Sequence, residues 1–385
     1  MRFIKSHLFI LFLVVFTELI GFGLIIPVLP QIASEYNLNH FMLGILMAAF
    51  SFAQFFSAPL LGHWSDKIGR KPLLVFSKIG TVFAYILLAY ANSFWLFLMA
   101  RLLDGFTGGN IAVARAYIAD VTSVDDRAKG MAVIGISFGL GFIFGPALGG
   151  IFYSLPNGQF IASLFASGLS FLAVLLTIFL LKEPSTKRLS TSQFSLISSL
   201  FSIKKFVLLA LCFMYFIYMI SFSGFETTFS IFTQYILDLS IRSNSLLFMY
   251  AGLVGLLVQL FLSKHASNNF VFFICMGFGC LALGFLGMAT VSSLVMLIVV
   301  LSIFAIGISF VNTFMPALLS SYTTDETRGL VMGVYESIGS VSRIIGPLLA
   351  YSIAVSYIRF EYMVYGVLMA LLIPLSYYFF VYRRD

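Results

Sequence analysis

Long apolar runs separated by short polar segments dominate the chain. A helix needs about 20 mostly apolar residues to span a bilayer. Twelve runs meet that requirement, at 7–29, 40–62, 73–91, 94–118, 130–153, 160–181, 206–232, 244–263, 270–289, 293–319, 329–353 and 362–382. Lipid offers no water to backbone N–H and C=O groups, and helices of this length satisfy their own, so strands are not expected. The first run, His7 to Leu29, is too long for a signal-peptide core, lacks a small-residue cleavage site and contains Glu18, so it reads as a spanning helix. The fold class expected is an all-α membrane protein of twelve transmembrane helices in two six-helix bundles. The longest polar stretch, containing KEPSTKRLSTSQ, divides the chain into an N-terminal bundle at 1–181, a flexible linker at 182–205 and a C-terminal bundle at 206–385.

The halves resemble one another. Arg127 and Arg328 stand 201 residues apart, as do Gly145-Pro146 and Gly346-Pro347, and Gln31 and Gln234 stand 203 apart. Six plus six helices from repeated halves is a transporter plan, with substrate bound near the bilayer midplane.

Composition and charge agree with this picture and fix an orientation. Hydrophobic residues are 61% of the 385 and charged residues 10%, against about 25% charged in soluble domains. With both termini in the cytoplasm, the inner side holds Arg2, Lys5, Lys67, Arg70, Lys71, Arg127, Lys129, Lys182, Lys187, Arg188, Lys204, Lys205, Lys264, Arg328, Arg383 and Arg384, while the outer side holds only Arg242 and Arg359. That is the positive-inside asymmetry. It accounts for the net charge of +7 without a nucleic-acid partner. Lys78 and Arg115 lie near cytoplasmic helix ends, from which they can snorkel. The four histidines and three cysteines are scattered without metal-ligand spacing. No nucleophile has a base nearby, so neither a metal site, a cofactor nor an enzyme is expected.

Three motifs carry more specific information. The segment after the second span reads GHWSDKIGRKP, with Gly62, Asp66, Gly69, Arg70 and Lys71. Its glycines suit a tight turn, and its charges can pair with one another and with Asp120 at the end of the fourth span. The fifth span contains GFIFGPALGG, with Gly141, Gly145, Pro146, Gly149 and Gly150. Small residues there let helices approach and proline bends the helix. The first span ends GFGLIIPVLP, and the fourth begins ARLLDGFTGGNIAVARAYIADVT.

Together these resemble the major facilitator superfamily, and within it the twelve-helix drug/proton antiporters, with the first half most like bacterial tetracycline efflux pumps. The resemblance is dense from about residue 14 to 153 and thins afterwards to topology and a few positions. It implies the major facilitator fold, a bacterial inner membrane, a monomer, and a proton gradient as energy source with no cofactor. It implies a cytoplasmic gating latch at Gly62, Asp66, Gly69, Arg70, Lys71 and Asp120, and an antiporter motif at Gly141, Gly145, Pro146, Gly149 and Gly150. The pattern also departs from those pumps. Ala84 stands on the third span where they carry an aspartate, the ninth span has no acid where they carry one, and SKHASNN after the eighth span is a degraded copy of the loop signature.

An ionisable residue at a helix centre costs about 2.5–3.5 kcal/mol on insertion scales and is a functional candidate by default. Six qualify: Glu18, Arg101, Asp104, Glu226, Glu336 and Arg343. Glu18 matches the place of an essential aspartate in tetracycline pumps, and is a proton or cation site, a fixed ion-pair partner or a neutral hydrogen-bonded acid. Arg101 matches the arginine of the family's fourth-helix motif. Asp104 follows at i+3 on nearly the same face, either as a static partner or as a switch that frees Arg101 when protonated. Glu226 binds a cationic substrate or carries a proton. Glu336 and Arg343, seven apart and on one face, read as a structural pair. Four acids against two bases lean toward cationic or zwitterionic substrates.

The expectation is a proton-coupled secondary exporter of small amphipathic compounds, of multidrug or tetracycline-like type, working by alternating access. The alternative is an exporter dedicated to an endogenous metabolite or siderophore, with a nutrient importer behind it.

Overall fold

The computed structural model describes residues 2–25, 32, 35–121, 124–184, 205–265, 269–322 and 328–378. They form α1 (Arg2–Ile25), α2 (His40–Ile68), α3 (Arg70–Ala89), α4 (Phe94–Thr107), α5 (Asn110–Val121), α6 (Val124–Tyr153), α7 (Gly158–Leu180), α8 (Lys205–Leu237), α9 (Ile241–His265), α10 (Phe270–Ala289), α11 (Leu294–Ser321) and α12 (Arg328–Tyr377). No strand occurs among the described residues. Among the described residues eleven stretches are long and apolar enough to cross a membrane, with α4 and α5 counted together as Phe94–Ile118. The span expected at 329–353 is the first arm of α12, which breaks at Tyr357 (φ −153°, ψ 68°) before the last membrane stretch, Tyr357–Tyr377. This is a multi-pass membrane protein, and side chains such as Phe83, Trp95 and Phe179 are exposed as lipid-facing residues would be.

Two elements differ from the sequence reading. The segment read as a loop after the second span is almost entirely helical: α2 runs on to Ile68, and only Gly69 lies between it and α3. Gly69 has φ 115°, a backbone region that side chains other than glycine rarely enter, so the reversal costs one residue. The fourth span, expected to be continuous, is broken at Gly108-Gly109 into α4 and α5.

The chain forms two compact units, Met1–Ser190 with Ser240–Met249 and Thr191–Leu239 with Tyr250–Asp385. Most of the linker expected at 182–205 lies outside the described residues. In the first unit α1 packs on α6 and α3 packs on α7; in the second, α8 and α10 pack on α12. The internal repeat is visible as the same contact made twice. Gln159 Nε2 donates to the C-terminal carbonyls of Leu88 (2.9 Å) and Ala91 (2.8 Å) after α3. Arg359, 200 residues later, donates to those of Ala289 (3.5 Å) and Val291 (3.1 Å) after α10. Likewise Ser137 donates to the Phe12 carbonyl at 3.2 Å, and Ser342 to the Phe216 carbonyl at 3.3 Å. In each unit a serine ties the equivalent helix pair, and a polar side chain closes the equivalent helix end.

Candidate functional site

The charges flanking Gly69 form one connected group. Arg70 Nη1 lies 2.7 Å from Asp66 Oδ1, one turn back on α2, and Arg70 Nε lies 2.9 Å from Asp120 Oδ2 on α5. Arg70 also donates to Ser65 Oγ. One guanidinium thus ties three helices. Glu183, just past α7, was not picked out from the sequence. Its carboxylate accepts the N–H groups of Arg70 (2.6 Å) and Lys71 (2.8 Å), which begin α3 and have no partner within the helix. A negative group there also faces the positive end of the α3 dipole. Lys71 Nζ reaches the Ile178 carbonyl at 2.7 Å, so the loop signature is fastened to α7 from both directions. Gly62 has no part in the turn. It lies within α2, and nothing stands within 4 Å of where its Cβ would be.

The helix break positions the buried charges. Gly105 lets α4 approach the Phe50 backbone of α2 so closely that a Cβ would overlap it. Ending α4 at Thr107 frees carbonyls that lipid cannot satisfy, and side chains from neighbouring helices take them up. Ser57 donates to Gly105 at 3.3 Å, Gln54 Nε2 to Gly108 at 3.0 Å, and Ser77 to Thr107. Gln54, Ser57 and Ser77 therefore hold the break open. The first residue of α5, Asn110, then faces α1.

Glu18 of α1 lies at this break and is 2% exposed. Its Oε2 accepts from Lys78 Nζ at 2.6 Å, Asn110 Nδ2 at 3.1 Å and Thr81 Oγ1 at 3.5 Å. Its Oε1 is buried without a hydrogen bond. Lys78 corrects the sequence reading. It does not snorkel to an interface but is fully buried, because its α3 position faces Glu18 and gives the acid a counter-charge. Beside this pair, Arg101 Nη1 lies 3.2 Å from Asp104 Oδ2, both nearly fully buried. The guanidinium sits over the Phe50 ring at 4.7 Å and the Phe22 ring at 5.6 Å, where ring quadrupoles favour a cation. Asp104 interacts electrostatically with Glu18, Arg101 and Lys78, so the two pairs form one cluster. Two acids, Glu18 and Asp104, meet two bases, Lys78 and Arg101, and the cluster balances. The excess negative charge inferred from the sequence does not reside in this unit.

The glycine-rich stretch of α6 supports the helix that carries Glu18. Gly145 of α6 lies against Gly23 and Ile20 of α1, where an added Cβ would stand 2.9 Å from Gly23 Cα and 3.0 Å from the Ile20 carbonyl. Gly141 faces Leu19 and Gly149 faces Leu24 in the same stripe, and Pro146 packs on Gly23. In the second unit Gly346 meets Ile220 and Ser223 of α8 in the same way.

The second unit buries two acids among its described residues, Glu226 and Glu361. Glu226 on α8 is buried and within electrostatic reach of Arg343 on α12. Arg343 Nη2 also donates to Ser340 Oγ at 3.4 Å. The Glu336 side chain, expected to pair with Arg343, lies outside the described residues. Glu361, not among the six candidates, is fully buried and accepts from Thr228 Oγ1 at 3.1 Å, with Tyr362 and Tyr365 beside it. The sequence reading did not single it out. Tyr218 and Asn312 hydrogen-bond to each other at 3.1 Å, and Phe225 belongs to a ring cluster with Phe229, Phe285 and Phe304.

Comparison with known proteins identifies the family. The class D tetracycline resistance protein of Salmonella ordonez is 33% identical over 348 residues, covering 86% of this chain and 85% of that protein. The crystal structure of the human organic anion transporter MFSD10 (TETRAN) aligns over 97% of this chain and 99% of that one, at 26% identity and TM-score 0.75. A bacterial homologue of the human lysosomal transporter Spinster, in an inward-facing and unoccupied conformation, shares the fold at TM-score 0.80 and 13% identity, over 97% of this chain and 96% of that one. The model of the Major Facilitator Superfamily matches residues 11–347 and again 261–385. The chain therefore belongs to the major facilitator superfamily and is a membrane transporter of small molecules rather than an enzyme.

Proposed function

We propose that this protein is a proton-coupled exporter of small amphipathic compounds in a bacterial inner membrane. It acts as a monomer by alternating access, with both termini cytoplasmic and the proton gradient as its only energy source. The observation that carries this reading is the Glu18 carboxyl. It is buried at a helix break, held at one oxygen by Lys78 and Asn110, and unpartnered at the other. Broken helices mark the binding sites of secondary transporters. A proton on Glu18 or Asp104 removes one negative charge from a balanced cluster and leaves the other acid to serve both cations. A substrate that needs both carboxylates therefore competes with the proton, which is the requirement for exchange. In this reading the Asp66–Arg70–Asp120 group gates the cytoplasmic side.

The test is flux in proteoliposomes under an imposed pH gradient, with tetracycline and a panel of lipophilic cations. Uphill movement of at least one compound that collapses when the gradient is discharged supports the proposal. Intact transport that ignores the gradient refutes the coupling. The second reading is an exporter dedicated to one endogenous metabolite or siderophore. Metabolite profiling of a deletion strain separates the two, since only a dedicated exporter leaves one compound accumulated.

A further inference from the structure

Arg101 uses only one end of its guanidinium within the cluster. Nη1 faces Asp104, while Nε and Nη2 make no hydrogen bond although the residue is 3% exposed. Those two nitrogens form the side-on edge of the guanidinium, whose parallel N–H groups match the two oxygens of a carboxylate. In the same cluster Glu18 Oε1 is buried without a hydrogen bond, and Asp104 Oδ1 has only the buried Tyr85 hydroxyl as a neighbouring donor. An unsatisfied buried donor or acceptor is costly, and here two donors and at least one acceptor are buried together without partners. A simple cation would satisfy the acceptor and leave the Arg101 edge bare. A simple anion would do the reverse.

We infer that the substrate is a zwitterion, or carries a carboxylate beside a cationic group. Its carboxylate lies on the Nε–Nη2 edge of Arg101 and its cation is directed at Glu18 Oε1 and Asp104 Oδ1. The Phe22 and Phe50 rings that flank the guanidinium supply apolar walls for an amphipathic body. Lys78 stays with Glu18 Oε2 and leaves Oε1 for the ligand. This inference narrows the substrate class of the exporter proposed above and rests on that reading of the site.

Rhodamine B, a zwitterion with a free carboxylate, and its ethyl ester, a monocation of nearly the same shape, test it. Binding of each to the purified detergent-solubilised protein is measured by fluorescence, with no gradient, so failure of proton coupling leaves this measurement intact. The acid should bind more tightly than the ester by about tenfold or more. Arg101→Lys keeps the charge and loses the planar edge, so it should lower the acid-to-ester affinity ratio by a similar factor, with residual ester binding reporting that the site is folded. Binding of neither dye, a wild-type preference for the ester, or equal weakening of both dyes in Arg101→Lys would overturn the inference. If Arg101→Lys does not fold, the wild-type preference alone decides.

Discussion

Replacing Lys78 with methionine removes the counter-charge of Glu18 while nearly preserving the side-chain length. The two charges stand 2.6 Å apart with side chains 0% and 2% exposed. At that distance and an effective dielectric constant of about 20, their attraction is about 6 kcal/mol before either desolvation penalty is counted. Desolvation consumes most of that gain, so the pair adds little net stability, but deleting one partner of a buried pair costs about 3–5 kcal/mol. Lys78→Met and Glu18→Gln should each destabilise by that amount, and the double variant should return to within about 1 kcal/mol of the parent, since a neutral, well-packed pair is tolerated. Unfolding in mixed detergent micelles with sodium dodecyl sulfate reads the effect. Both tryptophans, Trp64 and Trp95, belong to the unit that holds the pair, so their fluorescence follows it. A coupling energy below about 0.5 kcal/mol, the level at which independent sites add, would refute the ion pair as drawn.

Other consequences follow from the same packing. Gly62→Ala should be neutral or stabilise by up to about 1 kcal/mol, because it sits in a helix facing open space; Gly145→Ala should destabilise by about 1–3 kcal/mol, because its Cβ would meet Gly23 and Ile20. Gln54→Leu leaves the Gly108 carbonyl without its donor and should cost about 1–3 kcal/mol; an unchanged unfolding midpoint would show that the break is held otherwise. Glu183→Gln should weaken the α3 start by about 1 kcal/mol, read as faster hydrogen exchange at the Arg70 and Lys71 amides with the far end of α3 unaffected.

What the chain reveals before folding depends on whether a residue's role is local. The spans were legible because burial in lipid is a demand on every residue of a run. The glycines at 141, 145 and 149 were legible because a one-face repeat of small residues has a single geometric use. The break at Gly108-Gly109 was masked by the apolar residues around it, although two adjacent glycines are a breaker signal. Lys78 was misread because its distance from a helix end suggested snorkelling, whereas its partner lies 60 residues away and only packing brings the two together. Glu183 is helical in neither neighbour, and its role belongs to α3, more than a hundred residues earlier. Glu361 was not singled out: it stands two residues from Arg359, and only the packing shows that Arg359 turns to the end of α10 while the acid is buried.

The central claim, that substrate and proton exclude one another at the Glu18–Asp104 cluster, is tested most directly by proton release on binding. Saturating substrate is added to the detergent-solubilised protein in unbuffered solution containing a pH dye. Protons should appear with the same concentration dependence as binding, and their release should be lost when both acids are neutralised, Glu18→Gln with Asp104→Asn, in a protein shown to remain folded. Binding that releases no proton, or release that survives neutralisation of both acids, would contradict it.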